Sequence, residues 1–90
     1  MLFFKSKPKK ETVDIRLKKF LRDSLYDITC DKVEDEHSLY IKVYYKVSMA
    51  PEFKKQICSA LIGEFEDLGW RFDSVVEYFE NREICIGYVK

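Results

Sequence analysis

Residues 39–47 alternate between apolar and polar or aromatic side chains, the pattern of a β-strand with one buried and one exposed face. Successive side chains of a strand point to opposite faces of the sheet, so one set must enter a core and the other must point outward. The chain therefore requires a sheet covered on one side. We expect the core set to be Leu39, Ile41, Val43, Tyr45 and Val47, and the outward set to be Tyr40, Lys42, Tyr44 and Lys46.

Two helices and three further strands are predicted around this segment. Thr12 can cap a helix over residues 12–25, and Pro51 can begin a second helix whose apolar spacing continues to residue 68, before Gly69. Period-two patterns predict hairpins, one from strands near 26–33 and 38–49 and one with a turn at 80–83. The apolar helix stripes are Val13, Leu17, Phe20 and Leu21, together with Ser24, in the first helix and Phe53, Ile57, Leu61, Phe65 and Leu68 in the second.

The predicted order is helix, strand, strand, repeated once, which indicates a duplicated αββ unit. Each unit alone leaves an apolar sheet face and an apolar helix stripe uncovered. We therefore predict an α+β fold, a two-layer sandwich of a four-stranded antiparallel sheet with two helices on one face. Trp70, Phe72, Val76 and Tyr78 should share the covered face. The other face should carry Asp73 and Glu77 besides the tyrosines and lysines of residues 40–46. The pattern does not predict the order of the strands.

The neutral total charge conceals a division along the chain. Residues 1–22 hold eight basic side chains against two acidic ones, a net charge of +6, and residues 23–90 hold eight against fourteen, or −6. We predict a basic N-terminal arm over residues 1–10 and a single α+β domain over residues 11–90. This asymmetry is typical of an arm that meets a polyanion, or of a dipolar molecule that meets its own copies. It predicts a homo-oligomer that salt weakens.

Composition and spacing argue against several classes of protein. Three widely spaced cysteines and one histidine provide no metal-ligand set, and three scattered glycines form no phosphate-binding loop. We expect no catalytic residues, no metal and no cofactor, and hence no enzyme. An odd number of unpaired cysteines is typical of the cytoplasm. The apolar run of residues 1–4 is too short for stable membrane insertion.

Two interpretations of function remain, and the first is binding of RNA or single-stranded nucleic acid. Aromatic side chains on a sheet can stack on bases, and mobile lysines can contact phosphates. A solvated face stabilised by cross-strand pairs would show the same alternation. The candidate binding residues are Lys5, Lys7, Lys9 and Lys10 in the arm, Arg16, Lys18, Lys19 and Arg22 in the first helix, and Tyr40, Lys42, Tyr44 and Lys46 in the strand.

The second interpretation is a small regulatory or inhibitor protein that binds a protein partner through charge-complementary surfaces. Acidic residues gather near the end of the predicted second helix, opposite to the preference of the helix dipole. That end would suit a basic partner patch. In size and in Lys, Glu and Tyr content the chain is similar to accessory and inhibitor proteins of bacterial viruses. The candidate acidic surface is Glu64, Glu66 and Asp67.

Overall fold

A computed structural model describes residues 11–25, 27–46 and 49–90 of the chain. It shows a small α+β fold with two helices and a four-stranded antiparallel sheet. Short 3-10 turns cover Glu66–Leu68 and Phe79–Asn81. In chain order the helices and strands are α1 (Val13–Asp23), β1 (Ile28–Glu34), β2 (Ser38–Tyr45), α2 (Pro51–Ile62), β3 (Arg71–Tyr78) and β4 (Glu83–Val89).

The strand order is β1-β2-β4-β3, which leaves β1 and β3 at the edges. Each hairpin contributes its second strand to the centre of the sheet, where β2 and β4 pair antiparallel. Ile41 lies opposite Ile86 in that central pair. The two strands richest in fully buried residues are therefore neighbours, which places the largest apolar area in the middle of the sheet.

The predicted alternation along β2 is confirmed. Leu39, Ile41 and Val43 have no exposed surface, while Tyr40 retains 44% of its own. These β2 residues form one core cluster with buried residues of β4 and of both helices. The prediction for Val47 lies outside the described residues. The cluster also contains Ile84, Ile86 and Tyr88 from β4, Val13 and Leu17 from α1, Ile57 and Leu61 from α2, and Ile28, Tyr45, Phe65 and Trp70.

Helix α1 begins where its cap was predicted, since the Thr12 side chain accepts a hydrogen bond from the amide of Ile15 at 3.3 Å. The predicted continuation of α2 to residue 68 is wrong. The helix ends at Ile62, and Gly63 has a ψ of 0°, outside helical geometry. Phe65 is nevertheless fully buried. Helical spacing of apolar residues therefore continued past a break in the backbone, which is why it misled the prediction.

Phe53 was predicted to face the core and does not, because it retains 44% of its surface. Phe53, Ile57 and Leu61 are spaced by four residues, and each such step turns about 40° around a helix of 3.6 residues per turn. Phe53 is thus rotated by about 80° from Leu61. Since Ile57 and Leu61 are the buried residues of α2, this rotation carries Phe53 off the covered stripe.

The predicted faces of β3 require a second correction. Its register with β4 shifts between Phe72 and Ser74, which is a β-bulge at Asp73. One extra residue exchanges the faces of the residues that follow. Glu77 was predicted to face outward, but it lies opposite Ile84 on the covered face and bonds Lys54 of α2. Val76 was predicted to face the core, but it lies opposite Cys85 on the face that points away from the helices. Tyr78 likewise faces away from the helices, opposite Glu83.

Candidate nucleic-acid interface on the open sheet face

The sheet face that points away from α1 and α2, here called the open face, is organised around three side chains of β2. Tyr40 lies opposite Val33 of β1, and Lys42 lies opposite Asp31. Tyr44 completes the row along the strand. On the other side of β2, the neighbours of Tyr40, Lys42 and Tyr44 are Gly87, Cys85 and Glu83 of β4, and beyond these lie Ser74, Val76 and Tyr78 of β3.

Tyr40 lies directly over Gly87. A Cβ atom built on Gly87 would come within 3.3 Å of the Tyr40 ring and 2.9 Å of Ser74 Oγ. The absence of a side chain at Gly87 therefore lets the Tyr40 ring lie close to the backbone of β4, as aromatics do over sheet glycines. With 44% of its surface exposed, this ring is both supported from below and accessible from outside.

A third tyrosine shares this face, and the sequence pattern did not indicate it. Tyr78 lies opposite Glu83, which in turn lies opposite Tyr44. It retains 48% of its surface. The bulge at Asp73 puts Tyr78 there, and no local sequence signal marks a bulge. The open face thus combines Tyr40, Tyr44 and Tyr78 with Lys42.

The charges on the open face are mixed in sign. Lys42 is a cross-strand neighbour of Asp31, and Lys46 Nζ lies 3.5 Å from Asp27. Glu83 lies between two of the tyrosines. Cross-strand pairs of this kind stabilise a sheet whether or not it binds anything. Among the residues described, the face therefore offers aromatic surface together with partly compensated lysines.

The predicted basic residues of α1 are on the other side of the sheet from the tyrosines, because Val13 and Leu17 anchor α1 in the core cluster. Lys19 Nζ lies 2.5 Å from Glu11, and Arg22 Nε lies 3.2 Å from Asp23. Lys18 is exposed. The structure thus separates the predicted helix residues from the predicted strand residues, and they do not form one surface. Lys5, Lys7, Lys9 and Lys10 lie outside the described residues.

Arg16 joins α1 to the segment that follows α2. Its guanidinium donates to the carbonyl of Glu64 at 2.8 Å and also binds the Asp67 carboxylate. A further bond reaches Glu11 at 3.1 Å. The hydrogen bond with Asp67 raises the pKa of Arg16, and Arg16 in turn lowers the pKa of Asp67. Glu64 and Asp67, predicted as a partner surface, are thus engaged within the chain, while Glu66 is exposed.

Glu77 forms a second polar cluster, on the helix side of β3. Its carboxylate accepts hydrogen bonds from Tyr45 Oη at 2.7 Å and from Lys54 Nζ at 2.6 Å. Burial acts to raise the pKa of Glu77, but the bonds from Lys54 and Tyr45 outweigh it and lower that pKa. Lys54 also lies 5.0 Å from the ring centroid of Phe79. This cluster ties α2 to β3.

The described residues bring together little that could perform chemistry. No group of three or more His, Cys, Asp or Glu side chains within them could hold a metal ion. Burial raises the pKa of Cys30 to about 11, and burial is also the main cause of the raised pKa of Cys58 and of Cys85. These thiols are therefore poor nucleophiles at neutral pH. In the part of the chain that the structure describes, neither helix has the length and apolarity to cross a membrane.

No protein-family model, curated protein or solved structure matches this chain.

Proposed function

We propose that this chain is a non-catalytic binding protein that holds single-stranded nucleic acid, RNA above all, on the open face of its sheet. The observation that carries the proposal is the common placement of Tyr40, Tyr44 and Tyr78 with Lys42 on a sheet face from which the described helices are absent. Every base has a π-face, so aromatic platforms bind single strands with little sequence preference.

The proposal includes an architecture, a two-layer sandwich made from two αββ units. The strand order β1-β2-β4-β3 supports it, because the second strand of each hairpin lies at the centre of the sheet and the first lies at an edge. A pseudo-twofold axis between β2 and β4 would exchange the two units. Residues from both helices in one core cluster support a single helix layer.

In this mechanism the tyrosines provide stacking and the lysines provide electrostatic attraction. Stacking is typically worth about 1–3 kcal/mol per base. Lys42 and Lys46 would contact phosphates beside the rings, and the arm would add contacts through Lys5, Lys7, Lys9 and Lys10. Each phosphate contact releases counterions, so affinity should fall as salt rises. The proposed binding involves no covalent step and no cofactor.

A second candidate function, regulation or inhibition of a protein partner, is favoured by the carboxylates on the same face. Asp31 and Glu83 flank Lys42 and Tyr44, where they would repel phosphates but could pair with basic side chains of a protein. The two functions therefore make opposite predictions for these carboxylates. The repulsion between one carboxylate and a phosphate about 8 Å away in water is worth about 0.5 kcal/mol, which is a two- to threefold change in affinity.

The primary test is fluorescence anisotropy with a labelled, mixed-sequence RNA at low salt. Tyr44→Ala should weaken binding by about 1–3 kcal/mol without changing its salt dependence, while the matched control Tyr44→Phe should bind like wild type, because phenylalanine also stacks. Replacing Lys5, Lys7, Lys9 and Lys10 by glutamine should flatten the slope of log affinity against log salt by roughly 0.7 per lost contact. Circular dichroism would establish that each variant is folded.

Two outcomes would contradict the nucleic-acid proposal. One is wild-type protein without affinity for RNA or single-stranded DNA at low salt, and the other is Tyr44→Ala binding as well as Tyr44→Phe. Asp31→Asn and Glu83→Gln sharpen the choice. They should strengthen RNA binding by about two- to threefold each if phosphates approach this face. Under the second function, they should weaken binding of the protein partner.

A further inference from the structure

The two edges of the sheet are protected to different extents. On β1, the Lys32 side chain points to the helix side, where its ammonium lies 2.9 Å from Asp14 and 2.8 Å from Glu34. A charged residue pointing inward is a common device against the addition of another strand, because an added strand would have to bury it. Helix α1 packs beside this edge as well.

The β3 edge has protective features of its own, the bulge at Asp73 and the inward-pointing Glu77, but it differs from β1 because large apolar side chains are exposed on both of its faces. Helix α2 makes most of its sheet contacts with β4 and reaches β3 through the pair of Lys54 and Glu77. A groove of about 330 Å³ therefore lies between Lys54 and Cys58 of α2 and Val75 and Phe79. β3 has no lysine or proline, two further residue types that protect sheet edges. The exposed apolar residues are Phe72, Val75, Val76, Tyr78 and Phe79, with exposed fractions between 40% and 71%.

We infer that the β3 edge is a homodimer interface, where β3 pairs antiparallel with β3 of a second copy to continue the sheet. A twofold axis perpendicular to the sheet pairs residues of the same face only when one residue lies directly opposite its own copy, with the axis midway between them. Val76 is the central residue of the regular segment 74–78, which follows the bulge at Asp73. A register centred on Val76 therefore pairs this whole segment and leaves the bulge outside.

Charge supports a second copy as the occupant. Arg71 begins β3 and Glu80 follows its end, and both are exposed. Antiparallel pairing about Val76 would place Arg71 near the 3-10 turn that holds Glu80 of the partner subunit, and the symmetry would repeat this proximity. β3 and the turn that follows it are thus complementary to their own reversed copy in charge as well as in apolar surface.

The area available predicts a dimer of moderate affinity. At about 200 Å² per aromatic side chain, the exposed parts of Phe72, Tyr78 and Phe79 amount to roughly 300 Å² per protomer. With the valines and the strand backbone, two protomers would bury close to the ~1,000 Å² that specific interfaces require. A dissociation constant in the micromolar range fits such an interface. The joined sheet would have eight strands and one continuous open face.

The test compares two matched valines at opposite edges. Val76 and Val33 are both exposed on the open face, by 45% and 53%, and lie on β3 and β1 respectively. Light scattering and sedimentation from about 5 to 500 µM should show a dimer for wild type and for Val33→Lys. Val76→Lys should raise the dissociation constant at least tenfold, because the axis would place two lysines opposite each other. Circular dichroism would verify folding.

A disulfide provides a second, geometric readout. Residues directly opposite in an antiparallel pair have Cα atoms about 4.5–5.5 Å apart, within disulfide range. Val76→Cys should therefore crosslink to its own copy under mild oxidation. Val33→Cys and the wild type, which retains Cys30, Cys58 and Cys85, should not. Mass spectrometry would identify the crosslinked peptide.

Several results would overturn the inference. A wild-type monomer at all concentrations would do so, as would a dimer that Val76→Lys leaves intact. A third contrary result is a monomer whose β3 amides resist hydrogen exchange as strongly as those of β2. It would mean that another segment of the same chain pairs with the β3 edge. The salt dependence of the dimer separates an apolar interface from one held by charge. An apolar β3 dimer should persist between 50 and 500 mM NaCl, whereas the charge asymmetry along the chain predicts a dimer that dissociates.

Discussion

Adjacent residues of β2 should respond very differently to truncation, because they lie on opposite faces of the sheet. Val43 has no exposed surface and lies between Cys30 and Ile84 in the core. Tyr44 is half-buried on the open face. Replacing each by alanine therefore compares a core position with a surface position at nearly the same place in the fold.

The expected magnitude follows from what each change removes. Val43→Ala deletes two methyl groups, which is worth about 1.6 kcal/mol in lost burial at about 0.8 kcal/mol each. A cavity that does not collapse would add about 1 kcal/mol. We therefore expect a loss of about 1.5–3 kcal/mol in the free energy of unfolding. For Tyr44→Ala we expect less than about 1 kcal/mol, the scale of strand propensity and of cross-strand pairs.

Urea titrations followed by circular dichroism would measure both changes. At about 4–8 °C per kcal/mol for a domain of this size, Val43→Ala should also lower the melting temperature by about 6–24 °C. An unchanged m-value would show that both variants unfold from the same compact state. Equal losses at Val43 and Tyr44 would refute the assignment of the two faces, and with it the placement of the open face.

Three further predictions concern the polar contacts. Tyr88→Phe should destabilise the fold by about 1 kcal/mol in urea titrations, because the buried hydroxyl donates to the carbonyl of Leu61 at 2.5 Å; no change would mean that this bond contributes nothing net. Since the pKa of Glu77 is lowered in the fold from its ordinary 4.5, its contribution is present above that value and lost as the pH falls through the lowered pKa. The urea midpoint of Glu77→Gln should therefore lie below that of wild type at pH 7 and approach it as the pH falls below 4.5, and a gap independent of pH would contradict this. Arg16→Gln should lower the melting temperature because it removes the link between α1 and the turn after α2, whereas exposed Lys18→Gln should not; equal effects would show that the link is not specific.

The open face was partly predictable. Tyr40, Lys42 and Tyr44 were identified from the sequence because a period of two is a local property of a strand, independent of what pairs with it. Tyr78 was missed and Glu77 was misplaced, since both depend on the bulge at Asp73. Arg16 was predicted as a binding residue, but in the structure it bonds Asp67 within the chain. Its carboxylate partner Asp67 is 51 residues away, so no local pattern could reveal that contact.

The sequence by itself determined the elements: where helices and strands begin, and which side of β2 is apolar. These features depend on caps, prolines and periodicities that act within a few residues. Only the tertiary structure decided the strand order β1-β2-β4-β3, the end of α2 at Ile62, and the exposure of β3 at an edge. Such features depend on which distant surfaces bury each other, because the free energy of burial belongs to the assembled core rather than to any one segment.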